Sequence, residues 1–464
     1  MDAREVTLGL DLCLRVGELL LSSGAGAADV TATMQSLSYA VGLRGAYVDI
    51  TFTSLSMSYQ ETADDIPVVA TRQVKQRAVD YDDLTRVDHL VRDVLRGDLD
   101  LRGARSELGR IVSTGHPRHR GMVTLGWGVM CAGVGIQLGG DTVVVLLALL
   151  AAVVIDRVQL RMARRRMPGF YQQVLGGAVA TLIALGAGAT PLSVDVSQVV
   201  TANIIMLLAG IGFMGALQDA LTGFYVTGTA RLTEAFLATA GIIAGVSGGL
   251  SIGRVLGLDI PRLQPGDYDL QSAGLLALGS ALAAGAFAYS SYAPKRILVP
   301  IALVAGIAIT ISGTLQNAGL ARSWSTALAA FFIGLVSFSV AGRMRVPPLV
   351  VVVSAVVPML PGLSIYRGLT LLGEGGSSIP EGLLAMTAAI SVAIALSSGV
   401  ILGEYVAQPL KREAARLETR LTGPRLVGPV EHALHRDRWR RRRTAPDPAR
   451  RPDAPAGSAS EEQA

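Results

Sequence analysis

Hydrophobic and polar positions along the chain follow three successive regimes. In the first, Val6, Leu10, Leu12, Val16, Leu19 and Leu20 recur near the helical period. The residues between them include Asp2, Arg4, Glu5, Asp11, Arg15 and Glu18, so Met1 to Leu21 predicts an amphipathic helix and not a signal peptide. Gly24 is placed to end it. Asp29 is placed to cap the N-terminus of a second helix carrying Val30, Met34, Leu37 and Val41. The period then changes to two: Val48, Ile50 and Phe52 fall on one face of a strand, with Asp49, Thr51 and Thr53 on the other. Ile66 to Val74 predicts another strand, and helices follow at Asp80–Leu95 and Leu101–Val112. Residues 1–117 therefore predict a small cytoplasmic α+β domain, large enough for a core of its own.

The second regime runs from Gly121 to Tyr405 as about ten apolar blocks, each near the roughly 20 residues that cross a bilayer. They lie at about 121–139, 142–157, 169–188, 198–217, 230–249, 270–289, 296–314, 322–341, 347–364 and 380–405. Several, such as Asn203–Ala216 and Leu349–Leu360, carry no charge. A soluble helical protein would need polar faces on most of these helices, and they lack them. The expected class is a polytopic α-helical membrane protein.

The linker at 251–269, rich in Pro and charge, separates a first membrane half at 118–250 from a second at 270–408. Five helices in each half would place the halves in opposite orientations, the inverted repeat used for alternating access. Basic residues set the orientation. Arg157, Arg161, Arg164–Arg166, Arg231, Lys295, Arg296, Arg343 and Arg345 fall in one set of loops; only Arg254, Arg262, Arg322 and Arg367 fall in the other. The positive-inside rule then puts both termini in the cytoplasm.

The third regime, residues 409–464, is a basic tail rich in Pro, Arg and Ala, expected to be largely disordered. It accounts for the whole net charge of +5. Its Arg440–Arg443 run suits a membrane surface or an orientation signal better than nucleic acid. Cys13 and Cys131 lie far apart and suggest neither a disulfide nor a metal site. No Gly-Lys-Ser/Thr phosphate loop is present, which argues against ATP-driven transport by this polypeptide, and no cofactor is expected.

Two segments interrupt the apolar pattern at membrane depth. One is Gly210–Gly215 running into Gln218, Asp219 and Arg231, with Glu234 one turn beyond; the other contains Pro358, Pro361, Gly362, Tyr366 and Arg367. Both fall on the fourth helix of their half, and paired broken helices point to a transporter's binding site. Asp219 or Glu234 can take up a proton if buried. Arg231 or Arg367 can hold a carboxylate through two parallel hydrogen bonds. Alternatively these charges are loop residues at the cytoplasmic surface. Gln172, Gln173, Asn203 and Glu404 are weaker candidates, more often helix-packing or interfacial residues. The stripe Asp49, Thr51, Thr53 reads either as a small-ligand site or as the solvated face of a half-buried strand. The histidines of this part, His89, His116 and His119, lie away from it in sequence.

Leu21-Ser-Ser-Gly-Ala25, Asp29-Val-Thr-Ala-Thr-Met34, Gly42-Leu-Arg44 and Val48–Ser54 resemble the start of the bacterial threonine/serine exporter family. Gln218–Arg231 is similar to its central motif, and Val357–Gly362 with Tyr366-Arg367 to its second-half motif. The resemblance implies ten transmembrane helices divided five and five, with a hydrophilic N-terminal domain sometimes proposed to be hydrolase-like. It implies proton-driven efflux of threonine and serine across the bacterial cytoplasmic membrane. Asp29 and Arg44, inside matching motifs, join Asp49, Thr51 and Thr53 as candidates in the N-terminal domain. The expected protein is a proton-coupled transporter and not an enzyme, with threonine or serine, protons and the lipid bilayer as partners and no nucleic acid. A small dicarboxylate exporter and a membrane-anchored hydrolase are the alternatives. Substrate, coupling ion and homo-oligomer formation stay open at this stage.

Overall fold

The computed structural model describes residues 2–62, 64–75, 79–116, 118–190, 194–207, 210–257, 273–374 and 376–421. The chain opens with α1 (Ala3–Ser22) and α2 (Ala27–Ala40), followed by β1 (Tyr47–Thr51), β2 (Ser54–Tyr59) and β3 (Val68–Gln73). These strands form an antiparallel meander in which Val48 faces Met57, Ile50 faces Leu55 and Ser54 faces Gln73. Val48, Ile50, Leu55, Met57 and Tyr59 are buried, and α1 packs against β2 and β3. Helix α3 (Tyr81–Arg96) starts at Asp80, whose carboxylate accepts from the amides of Asp82 and Asp83, and ends at Gly97 in the left-handed region. Helix α4 (Leu101–Ser113) follows.

Three local expectations need correction. Strand β2 lies outside the expected strands, although Leu55, Met57 and Tyr59 alternate with serines as a half-buried strand should. Phe52 does not continue β1: it occupies the β1–β2 turn with φ +54. Asp29 is not the cap of α2, because the helix begins two residues earlier at Ala27 and has Gly26 as its capping residue.

The remaining helices are α5 (Arg120–Gln137), α6 (Thr142–Arg164), α7 (Gly169–Gly188), α8 (Val196–Leu207), α9 (Gly210–Leu221), α10 (Tyr225–Val255), α11 (Ala273–Ser290), α12 (Leu298–Asn317), α13 (Arg322–Met344), α14 (Pro348–Val356), α15 (Gly362–Glu374) and α16 (Ile379–Leu421). Among the described residues seven helical segments are long and apolar enough to cross a membrane, and the bent pair α8–α9 makes an eighth. They make this a multi-pass membrane protein. Helix α5 and the short apolar segment Pro348–Met359 are not among the seven, so fewer crossings meet this measure than the expected ten. Helix α10 runs on to Val255, so the start of the expected linker is helical; residues 258–272 lie outside the described residues, as does the tail from 422.

Both expected breaks have a structural counterpart. Val196–Leu207 and Gly212–Leu221 are bent by 46° relative to one another. Helix α14 gives way to a 3-10 turn, Val357–Met359, and to extended backbone at Leu360 before α15 begins. Pro358 and Pro361 have no N–H to donate, which ends the regular ladder there.

Small residues set the helix spacing. A Cβ on Gly133 of α5 would lie 2.7 Å from the Ala283 nitrogen and 2.8 Å from the Gly279 oxygen of α11. Only glycine permits that approach. The apolar core of the N-terminal region is continuous with α11 and α14: Tyr81 meets Phe287 edge to face, and its amide donates to the Ser291 carbonyl at 2.9 Å. Residues 1–408 accordingly form one compact unit, and the described part of the second unit is the end of α16.

Candidate functional site

Asp219 lies in the last turn of α9 and Arg231 in the second turn of α10. A tight turn joins the two helices, with Gly223 at φ +96 and the Phe224 amide donating back to the Asp219 carbonyl at 2.8 Å. Gly228 lets α10 close on α9, since a Cβ there would meet the Ala216 oxygen at 2.8 Å. Arg231 is thereby folded back onto Asp219. Its Nη1 lies 2.6 Å from Asp219 Oδ2, with Asp219 1% and Arg231 8% exposed.

Both side chains also grip the N-terminal region. The Ala27 amide donates to Asp219 Oδ1 at 2.8 Å, and Arg231 Nη2 donates to the Ala25 carbonyl at 3.2 Å. Helix α2 has no capping side chain of its own; the membrane helix supplies one. A carboxylate at the first turn satisfies an orphan N–H and the positive end of the helix dipole. This is the physical reason Asp29 is released from the capping role. Beside it, the Phe52 amide donates to Thr227 Oγ1 at 3.0 Å, and Thr227 Oγ1 donates to the Ile50 carbonyl at 3.5 Å. Three separate sequence motifs, around Ala25–Asp29, Ile50–Phe52 and Asp219–Arg231, thus meet at one junction.

Asp29 stands at the edge of this junction, reachable by solvent yet surrounded by protein on most sides. That partial desolvation, and then the negative charge of Asp219, pushes its carboxyl above the usual range. Glu404 of α16 lies within electrostatic reach of Asp29. Gln218 is half-buried next to Asp219, and Glu234 is exposed one turn past Arg231.

The second set of candidates lies at the α14–α15 break. The Pro358 carbonyl, freed from the helix ladder, accepts from Gln137 Nε2 at 3.1 Å. Pro361 is buried, Gly362 opens α15, Tyr366 is buried, and Arg367 is exposed. Tyr366 joins an apolar cluster with Ile155 of α6, Ala184 of α7, Ile204 of α8 and Ile242 of α10. Its neighbour Ile365 packs with Phe213 of α9 and Ala235 of α10. The two breaks therefore touch through apolar side chains. The charged junction is farther along α9: Asp219 is nine residues past Gly210, or about 13 Å at the helical rise.

In the N-terminal region Asp49 and Thr51 are exposed on β1, with Thr51 Oγ1 3.4 Å from Asp49 Oδ2, and Thr53 is half-buried in the turn. Arg44 is exposed over the Tyr39 ring. The histidines have structural partners: His89 meets the Arg345 carbonyl, His116 pairs with Asp80 at 2.8 Å and His119 accepts from the Gly121 amide. Asp83 joins Asp80 and His116 within 4.8 Å, a grouping the sequence reading did not foresee. Asp80 already uses one oxygen as helix cap and the other for His116. Sequence reasoning also missed Asp156, buried on α6, which meets Arg120 at 2.6 Å and the Thr124 hydroxyl at 2.7 Å. A lone acid inside an apolar block was the available signal.

Residues 11–253 match the threonine/serine exporter family (ThrE), and residues 276–406 match a second family described as threonine/serine exporter, ThrE. The chain is 35% identical over 434 residues to a protein of Mycobacterium tuberculosis named "Probable threonine/serine exporter", covering 91% of this chain and 82% of that protein. It is 30% identical over 429 residues to the "Threonine/serine exporter" of Corynebacterium glutamicum, covering 89% and 85%. No solved structure matches. With both membrane parts matched and relatives aligned along most of its length, the chain belongs to the threonine/serine exporter family and is a transporter rather than an enzyme.

Proposed function

We propose that this protein is a proton-coupled secondary transporter that exports threonine and serine across the cytoplasmic membrane, with both termini in the cytoplasm. The names of the two relatives described above support the substrate class. The carrying observation is the buried Asp219–Arg231 pair, closed on the backbone of Ala25–Ala27. A guanidinium and a helix N-terminus are both ordinary ligands for a carboxylate, and here an internal carboxylate occupies them. Protonation of Asp219 releases Arg231, which then takes the carboxylate of the amino acid, while the acidic edge at Asp29 and Glu404 suits its ammonium. Loss of that proton restores the internal pair and expels the substrate. Small dicarboxylates fit less well, because with one carboxylate on Arg231 the second would face the acidic edge at Asp29 and Glu404.

Alternating access in this reading rests on an inverted repeat of five helices in each half. The element starts support it: Arg120 and Ala273, Thr142 and Leu298, Gly169 and Arg322, Val196 and Pro348, Gly210 and Gly362, Tyr225 and Ile379 are each separated by roughly 150 residues. The packing relations repeat as well. Helix α8 touches α5, α6 and α7, and α14 touches α11, α12 and α13. Gly177 and Gly245 seat α7 against α10, as Gly334 and Gly399 seat α13 against α16.

The test is uptake of labelled threonine, serine and succinate into inverted vesicles, with and without a proton gradient. Gradient-stimulated uptake of both amino acids, lost on Asp219→Asn, is the expected result. Uptake of succinate alone, or amino-acid uptake indifferent to the gradient, would overturn the proposal.

A further inference from the structure

Asn203 carries an unmet hydrogen-bond demand in the apolar part of the molecule. It is 0% exposed, and its Nδ2 donates to the Val199 carbonyl of its own helix at 2.9 Å. Its Oδ1 is buried without a hydrogen-bond partner. It shares a face of α8 with Val196, Val199, Val200 and Leu207, at helical spacings of three and four. That face packs into the cluster holding Val144, Ala180, Val246 and Tyr366. Asn203 thus stands about one turn before the α8–α9 bend, on the cluster that the second break enters through Tyr366.

A buried amide oxygen with no donor is costly to keep in such surroundings, and leucine would fill the same volume without that cost. A hydroxyl is a neutral donor that meets this demand, and a methyl group beside it suits the Val, Ala and Leu side chains of the cluster. We infer that Asn203 reads the side-chain hydroxyl of the transported amino acid, accepting from it as the substrate passes between α8 and α15, and so sets the preference for threonine over valine. This rests on the export reading above and adds a second station to it, remote from the charged junction. Threonine and valine differ by a hydroxyl against a methyl. A site built to hydrogen-bond a hydroxyl rejects the analogue lacking it far more strongly than an apolar pocket rejects a methylene.

The test compares competing uptake of threonine and valine in vesicles holding the full-length protein, either wild type or Asn203→Leu. Wild type should prefer threonine by at least about tenfold, and the leucine variant should lose most of that preference while still moving valine. Asn203→Ala, which removes the amide without adding apolar bulk, must shift the ratio in the same direction and gives the answer should the leucine variant fail to reach the membrane. An unchanged threonine-to-valine ratio in variants that still transport would overturn the assignment and leave the export reading intact. Wild-type vesicles that move neither threonine nor serine would instead overturn the export reading, and this inference with it.

Discussion

The Asp219–Arg231 latch yields the most demanding prediction. Asp219→Ala strands a guanidinium that is 8% exposed and takes the acceptor from the Ala27 amide. Removing one partner of a buried pair costs about 3–5 kcal/mol, and loss of a helix cap about 1 kcal/mol. Solvent reaches the edge of this junction at Asp29, so the lower end, about 3 kcal/mol, is the appropriate expectation. Arg231→Met, which strands the Asp219 carboxylate, should cost about the same. The double variant removes both charges and should cost little more than either single change, a coupling of about 3 kcal/mol, at the top of the range for contacting residues. Hydrogen exchange at the Ala27 amide reads this directly. Where local opening governs exchange, about 3 kcal/mol corresponds to an acceleration of roughly 150-fold in each single variant. Additive single effects, or an Ala27 amide indifferent to both substitutions, would mean that the membrane helices do not hold the N-terminal region through this pair.

Asp29 supplies a pH dependence. A carboxyl raised in the folded protein binds its proton more tightly there than in the unfolded chain, so this group costs stability above its folded pKa. The cost fades as pH falls toward the ordinary value of 3.8 and vanishes below it. Thermal unfolding of Asp29→Asn should therefore show a gain at neutral pH that shrinks on acidification; a gain that grows instead would reverse the assignment. At the α5–α11 crossing, Gly133→Ala must push two backbones apart and should cost about 1–3 kcal/mol, measured as a lower melting temperature. Gly186→Ala on α7, with open space around it, should cost nothing.

Much of this protein is determined by one-dimensional pattern. Uncharged blocks such as Gly274–Ala288 satisfy their backbone in lipid as helix, so the membrane class follows from composition and length. Glycine and proline at 210–215 and 358–362 mark the breaks for the same local reason: one relaxes the backbone, the other removes a donor. Alternation at Val48 and Ile50 and the start of a helix near Asp80 were legible too, because each depends on neighbours within a few residues. The role of Asp29 was not. Its position suits a cap, but the cap of α2 comes from Asp219, 192 residues away in sequence. Nor could pattern tell whether Asp219 and Arg231 were loop decoration or a buried pair, since Gly228 and the Gly223 turn decide that by how closely two helices approach. The orphan oxygen of Asn203 was likewise invisible, because an unmet hydrogen bond is a property of everything that surrounds an atom. Local residues specify elements, breaks and caps; which charges meet, and which polar atoms are left waiting for a partner, is decided only when distant helices pack.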